Sequence, residues 1–490
     1  MMDLAIVGGG LAGAYVAHRT SQLRPDWSIA LFESCDRVGG RLLSVRMPGT
    51  TDTVIELGGM RYRTSQKLMH GLVQELSLNT HPFPVTHEDN RFLLRGVERR
   101  SSEFARGNSP YRLETPWNQL SPAEVIVAAF EHVLPHATEL NDQQWTRVRH
   151  EHRFDGRLLR DWGLRELLIR VLGQEGYDYL VDGLGYASII GDWNAADAMP
   201  WFLIETRPDS ENLTVVDGME RVPRELVSRF QQTGGTVLLG FHLQTIEAED
   251  GLGVNRSYRL ISADGSRVEA KRVVLALPAT ALGRVAKQSA PLTRSETVKL
   301  IGSVTPHPMT KVFLWYPDAW WRHLRLRGRR TISDLPLRKT YFLENSPAGP
   351  ALLLASYCDG PSVAYWRQFA PPTRAPSDPD PYEAGDRWAK YSSPSELEEE
   401  AHRLVQTLHR HPDASPPLGS AFMDWGVDPF DGAWHSWNPS VKSWEALSRL
   451  TKPDEHESIY ICGETFSNYQ GWMEGALETA KLAIKRLANA

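Results

Sequence analysis

The chain has 490 residues, 41% of them hydrophobic and 23% charged, with a formal net charge of −6. That length supports two or more domain-sized cores in an ordinary globular protein, and the charge leaves no footprint for nucleic acid or an anionic membrane surface. The three cysteines, Cys35, Cys358 and Cys462, lack CxxC spacing, which argues against a metal site or a disulfide scaffold and fits a reducing compartment.

The first element is the strongest local signal. "LAIVGGGLAGAYVAHRTSQ" is a short apolar strand opening at Leu4, then Gly8, Gly10 and Gly13 in GxGxxG register, then a helix. Such glycines permit a tight turn, close backbone approach to a pyrophosphate and close packing of helix on strand, while the helix N-terminus offers unbonded N–H groups. A second strand, "SIALFE", ends in Glu33, twenty residues beyond Gly13, where an acid would hold a ribose hydroxyl pair. The same acid would repel a 2′-phosphate, which disfavours NADP. No basic, apolar leader precedes Leu4 and no apolar run reaches spanning length, so the expectation is a soluble, cytoplasmic chain without membrane contact.

Next comes "SCDRVGGRLLS", in which Gly39 and Gly40 permit backbone approach and Arg37 and Arg41 can neutralise a diphosphate. "VIELGGMRY" follows, a strand that turns on Gly58 and Gly59 and presents Arg61. An inward guanidinium cannot lose its charge and needs an anion, whether a residue, a cofactor phosphate or a substrate.

Residues from about 66 to 211 carry helical patterns such as "LRDWGLRELLIRVL" and "EGYDYLVDGLGYASIIGDW", with a turn-rich stretch around Arg95 to Pro116. "ERVPRELVSRFQQTGGTVLLGFHLQTIEAED" predicts an amphipathic helix, a glycine turn and a strand, and "RVVLALPATAL" a buried strand broken at Pro278. From about 290 to 445, strands ("MTKVFLWY", "KTYFLEN", "PALLLASYC") alternate with a Pro/Asp-rich loop at Pro371 to Asp386 and a helix at "PSELEEEAHRLVQTLHR". The final element, "SIYICGETFSNYQGWMEGALETAKLAIKRL", is a strand, Gly463-Glu464, a loop and a helix. Trp425, Trp434 and Trp437 could line a pocket or fill cores.

The acid–Arg37–Gly39-Gly40-Arg41 pattern resembles the second cofactor motif of the flavin amine oxidase family. "ELGGMRY", "HPMTKVFLWY", "PLRKTYFLEN" and "YQGWMEGAL" extend the resemblance to its bacterial L-amino-acid oxidases, L-tryptophan oxidases included. It covers most of the chain in order, strongest at both ends and weakest between about 95 and 150. It implies an α/β plus α+β fold: a discontinuous Rossmann-like FAD-binding domain (1–65, 212–289 and 446–490) with an interleaved substrate-binding domain (66–211 and 290–445), helical at about 115–200. The implied FAD contacts are Gly8, Gly10, Gly13, Glu33, Arg37, Gly40, Arg41, Gly59, Met60, the backbone of Arg61, Leu243, Glu464, Trp472 and Met473. The implied catalytic set is Arg61 on the substrate carboxylate, Tyr341 adding a hydroxyl to it, Lys311 near flavin N5 through a water, and Trp472 as an aromatic wall.

The implied reaction is hydride transfer from Cα of an L-amino acid to FAD, giving ammonia, a 2-oxo acid and, with O2 as electron acceptor, hydrogen peroxide. No base for the substrate ammonium is evident, and a homodimer is compatible with the sequence. Thr465, Phe466 and Ser467 follow Glu464 where some relatives carry a flavin-linking cysteine, so FAD is expected to be non-covalent. Two alternatives stand beside this: an amine or polyamine oxidase with the same cofactor motifs, and a non-catalytic dinucleotide-binding protein, which would leave Lys311, Tyr341 and Trp472 unexplained.

Overall fold

The four consecutive apolar residues of Leu4–Val7 are all buried, and the glycine turn after them ends the strand. They form the middle of a five-stranded parallel sheet, in the order 236–238, 29–32, 4–7, 273–275, 459–461. Val7 is in register with Phe32 on one side and Leu275 on the other. Both faces are covered, which is why these strands read as unbroken apolar runs. On one face the helices Leu11–Leu23, Arg221–Gln232 and Met473–Ala488 pack Val16, Leu226 and Leu477 against Leu4 and Ile6. On the other face Phe241, Leu243 and Ile246 pack near Ala5, Val7 and Phe32. This structure is a computed structural model; it describes all residues except 49–52, 84, 86, 108, 206–209, 250–255, 327–328, 344–349, 371–386 and 489–490. The Pro/Asp-rich loop at 371–386 thus lies outside the described residues, as do the last two residues of the "KTYFLEN" stretch.

A domain boundary at residue 65 assigns the Lys67–Glu75 helix to the substrate-binding pieces. It packs instead on the dinucleotide core. The backbone N–H groups of Leu68 and Met69, unbonded donors of its first turn, give to the two carboxylate oxygens of Glu474 at 3.0 and 2.8 Å, and Met69, Leu72 and Val73 join the apolar cluster around Leu4.

A seven-stranded sheet forms the second layer, in the order 419–424, 309–316, 351–359, 339–342, 330–333, 91–94, 97–100. Its Met309–Tyr316 strand is two-sided: Val312, Leu314 and Tyr316 meet Leu397, Ala401 and Leu404 of the Ser395–His409 helix, while Met309 and Lys311 face a cavity. The helical part includes Pro122–Val133, Asp142–Glu151, Leu164–Leu184 and Ala195–Glu205. Leu164–Leu184 kinks at Gly173, whose φ of 70° interrupts the helix. No helix among the described residues is long and apolar enough to cross a membrane.

Candidate active site

One cavity of about 470 Å³ runs from the glycine turn, through the Arg41–Glu464 pair, to Arg61 and Lys311. At its first end Gly8 has φ +107°, and a Cβ there would overlap the Ala276 carbonyl; a Cβ on Gly13 would overlap the Gly8 carbonyl oxygen. The turn therefore has room for backbone only, and it delivers the chain to the helix N-cap at Gly10, where no side chain caps the open N–H groups. Glu33 accepts from the Gly9 N–H at 2.6 Å and the Cys35 N–H at 2.9 Å, which holds its carboxylate at the cavity wall. Leu243 and His242 line the same end.

In the middle, Arg41 lies 2.9 Å from Glu464. Glu464 also accepts from the backbone N–H groups of His435 (3.1 Å) and Gly471 (2.7 Å), and its second oxygen lies 3.1 Å from His435 Nδ1. Burial would raise the Glu464 pKa, but Arg41, His435 and these hydrogen bonds outweigh it and pull it down to about 2. Gly471, at φ +79°, turns the chain so that the adjacent Trp472 and then Met473, the first residue of the last helix, line the cavity.

At the far end Arg61 donates to Asn212 Oδ1 at 3.1 Å and lies over the Trp472 ring, 5.1 Å from its centroid. Lys311 donates to the carbonyl oxygens of Glu56 (2.7 Å) and Gly58 (2.6 Å), both on the strand-turn that presents Arg61. Burial drives the Lys311 pKa down to about 7, opposed by Glu56 and reinforced by Arg61. Burial likewise pushes the Glu56 carboxyl up, although the Met219 N–H and the Ser44 hydroxyl donate to it. Tyr186 and Tyr357 complete this end of the wall. Their rings meet edge to face at 5.2 Å, and Lys311 Nζ lies 4.6 Å from the Tyr357 centroid.

The expected residues Gly8, Gly10, Glu33, Gly40, Arg41, Gly59, Met60, Arg61, Leu243, Lys311, Glu464, Trp472 and Met473 all line this cavity. Gly13 stands just behind the turn, as a packing contact rather than a wall. Two expectations are corrected. Arg37 does not face the cavity: it is buried behind the loop, donating to the carbonyls of Val38, Gly40 and Leu42, with Glu220 at 3.7 Å. It braces the Gly39-Gly40 turn from the rear. Tyr341 does not reach the cavity either. Lys311 and Lys339 both stand in register with Tyr357, whereas Tyr341, beyond a β-bulge, shares the next row with Phe313 and Leu354 and packs near Phe83. The hydroxyls beside Arg61 thus come from Tyr357 and Tyr186, neither singled out by the sequence motifs; the alternation that placed Lys311 inward also pointed at Tyr357 once its partner strand was known. Trp425 and Trp434 line the cavity with Trp201, while Trp437 is core.

The arrangement fits a flavin dinucleotide. Besides the glycine cradle, two buried polar atoms of the cavity wall, His242 Nδ1 and Trp434 Nε1, have no hydrogen-bond partner among the described residues, and unsatisfied groups of this kind are normally met by a ligand or water. The model of the family described as flavin containing amine oxidoreductase matches residues 10–487. Aplysianin-A of Aplysia kurodai is 28% identical, the match covering 99% of this chain and 90% of that one. Achacin of Lissachatina fulica is 27% identical over 97% and 91%, and an L-amino-acid oxidase of Crotalus adamanteus 22% identical over 99% and 87%. A putrescine oxidase structure superimposes with a TM-score of 0.71 at 18% identity, over 100% of this chain and 99% of that one, which is a likeness of fold.

Proposed function

Because the chain belongs to the flavin containing amine oxidoreductase family, we propose that it is an FAD-dependent L-amino-acid oxidase, converting an L-amino acid, water and O2 to the 2-oxo acid, ammonia and hydrogen peroxide. The observation that carries this reading is the charge at the far end of the cavity. Two cations, Arg61 and Lys311, stand there with the hydroxyls of Tyr186 and Tyr357. The carboxylates lining the cavity among the described residues, Glu33 and Glu464, are both held elsewhere, by backbone N–H groups and by Arg41 with His435. A substrate carboxylate finds partners here. The second ammonium of a diamine finds no uncommitted carboxylate among the described residues of the wall.

Bound FAD supplies the acceptor for two electrons from the substrate Cα–H bond and passes them to O2. The glycine turn, Glu33, Arg41 and Glu464 would hold the dinucleotide, and the N-terminus of the Met473–Ala488 helix offers its positive end to negative charge at the cavity. Arg61 takes the substrate carboxylate and fixes its plane, since a guanidinium can meet it through two parallel hydrogen bonds. Tyr357 and Tyr186 add hydroxyls, and Trp472, stacked on Arg61, walls one side. With two donors committed to the Glu56 and Gly58 carbonyls, Lys311 keeps its remaining position for the cavity, where it can hold a water or exchange a proton.

Purified protein should be yellow and should bleach anaerobically with L-amino acids but not with the matching decarboxylated amines. A protein that bleaches with amines and ignores amino acids would sink the reading. None of the three cysteines lines the cavity, so the flavin should leave with the supernatant after acid precipitation; colour retained on the denatured chain would contradict non-covalent binding.

Lys311 makes the site pH-sensitive. Its pKa in the free site is depressed to about 7, and a bound carboxylate raises it again, so binding an anion takes up a proton whenever the pH exceeds that value. Carboxylate affinity is therefore full below about pH 7 and declines as pH rises through it. The Kd of benzoate, read from the flavin spectrum, should rise between pH 6 and 8.5 by up to about tenfold per unit. Lys311→Met should bind it weakly with a flat profile. A sloped profile in that variant would assign the titration to another group.

A further inference from the structure

The Tyr186–Tyr357 pair joins two parts of the fold distant in sequence, and a buried carboxylate outside the cavity wall joins them. Asp359 ends the Ala351–Asp359 strand, two residues beyond Tyr357, and is 2% exposed. Its Oδ1 accepts from the Ala187 N–H at 2.7 Å, and its Oδ2 accepts from the Ser188 N–H at 2.9 Å and from the Ser188 hydroxyl. Ala187 follows Tyr186 directly, just past the Gly185 C-cap (φ +70°) of the Leu164–Leu184 helix. A salt bridge from Arg338 to Asp182 at 3.1 Å ties down the end of the helix itself. Lys339, paired with Tyr357 from the strand opposite that of Lys311, has its Nζ 3.3 Å from the Tyr186 ring centroid.

We propose that Asp359 is a positioning residue for substrate binding: by clamping Ala187 and Ser188 to the end of the Tyr357 strand, it sets the Tyr186 ring against that of Tyr357 in the cavity wall that also carries Arg61. The inference rests on the amino-acid oxidase reading for what the tyrosines bind. Three donors converge on a carboxylate that does not itself line the cavity, so its effect on the reaction passes through the wall residues it holds in place, Tyr186 among them. Without it the Tyr186 ring keeps its contacts with Tyr357 and Lys339, but the loop after Gly185 loses its three ties to the end of the Tyr357 strand, and a displaced hydroxyl no longer meets the bound carboxylate, which weakens binding more than it slows the bound substrate.

Asp359→Asn keeps the shape but sets an amide N–H₂ against a backbone N–H. It is expected to retain FAD, to raise the benzoate Kd and the KM for the amino acid about tenfold, and to change kcat by less than about threefold. Tyr186→Phe should do part of the same. In the Tyr186→Phe background, Asp359→Asn should add little, since the two act through one hydroxyl; a purely structural aspartate would add its full effect to both. Should Asp359→Asn fail to take up flavin, Ser188→Ala takes its place as the test: it removes one of the three donors and should raise the benzoate Kd about two- to fivefold. Unchanged benzoate Kd in every variant that holds flavin, or strict additivity with Tyr186→Phe, would overturn the proposal. Wild-type protein that binds no benzoate and oxidises no amino acid would instead remove the reading beneath it.

Discussion

Arg61→Ala is expected to lower kcat/KM for an L-amino acid by about 30- to several-thousand-fold while keeping its flavin spectrum, the range set by the roughly 2–5 kcal/mol that a desolvated, hydrogen-bonded charge pair loses when one partner is removed. The guanidinium lies against Trp472 at the end of the cavity where Lys311, Tyr186 and Tyr357 also stand. Two cations close enough to depress the Lys311 pKa repel each other in the free site, and a carboxylate placed between them relieves that repulsion as well as taking their hydrogen bonds. Lysine at position 61 would restore charge without the planar fork, so Arg61→Lys should fall between wild type and alanine. The deciding measurement is a ratio. Wild type should oxidise an amino acid far faster than its decarboxylated amine, and Arg61→Ala should shrink that preference by slowing the amino acid alone. An alanine variant that loses FAD but keeps its amino-acid KM would move Arg61 from the substrate to the cofactor.

The other large effect is at the opposite end of the cavity. Gly13→Val should abolish FAD binding: even the first carbon of the new side chain would overlap the Gly8 carbonyl oxygen and sit 3.3 Å from the Ala276 Cβ. Gly8 is itself held in place, its N–H donating to the Phe32 carbonyl at 2.7 Å, at the end of the buried Leu4–Val7 strand. The Leu11–Leu23 helix would have to tilt away from the Leu4–Val7 strand, carrying its open N–H groups off the pyrophosphate position. Flavin content per chain, measured on folded protein verified by circular dichroism, checks this; a stoichiometric flavin in Gly13→Val would overturn the dinucleotide assignment.

The dinucleotide end was legible in the sequence because its determinants are local: Gly8, Gly10, Gly13 and Glu33 lie within one strand–turn–helix–strand unit, and each has a steric or electrostatic reason to be that residue type. Arg61, Lys311, Glu464 and Trp472 were legible through motifs in which a turn glycine or strand alternation settles which way the side chain goes. Where the direction depended on distant partners, sequence was silent. Arg37 turns inward because Glu220, at the N-cap of the Arg221–Gln232 helix far along the chain, waits behind the loop with the carbonyls of Val38, Gly40 and Leu42. Tyr357, not Tyr341, stands in the Lys311 row of the cavity wall, because bulges in the seven-stranded sheet put Tyr341 in the next row with Phe313 and Leu354. Tyr186 enters only because Asp359 ties the end of one helix to the end of one strand, 171 to 172 residues away along the chain. Cofactor class and the two cations that line the far end of the cavity were therefore legible in the sequence itself, through contacts a few residues long. Which tyrosines stand beside them was decided only by tertiary structure, because β-register and the docking of a helix end are set by packing summed over many residues that no short stretch contains.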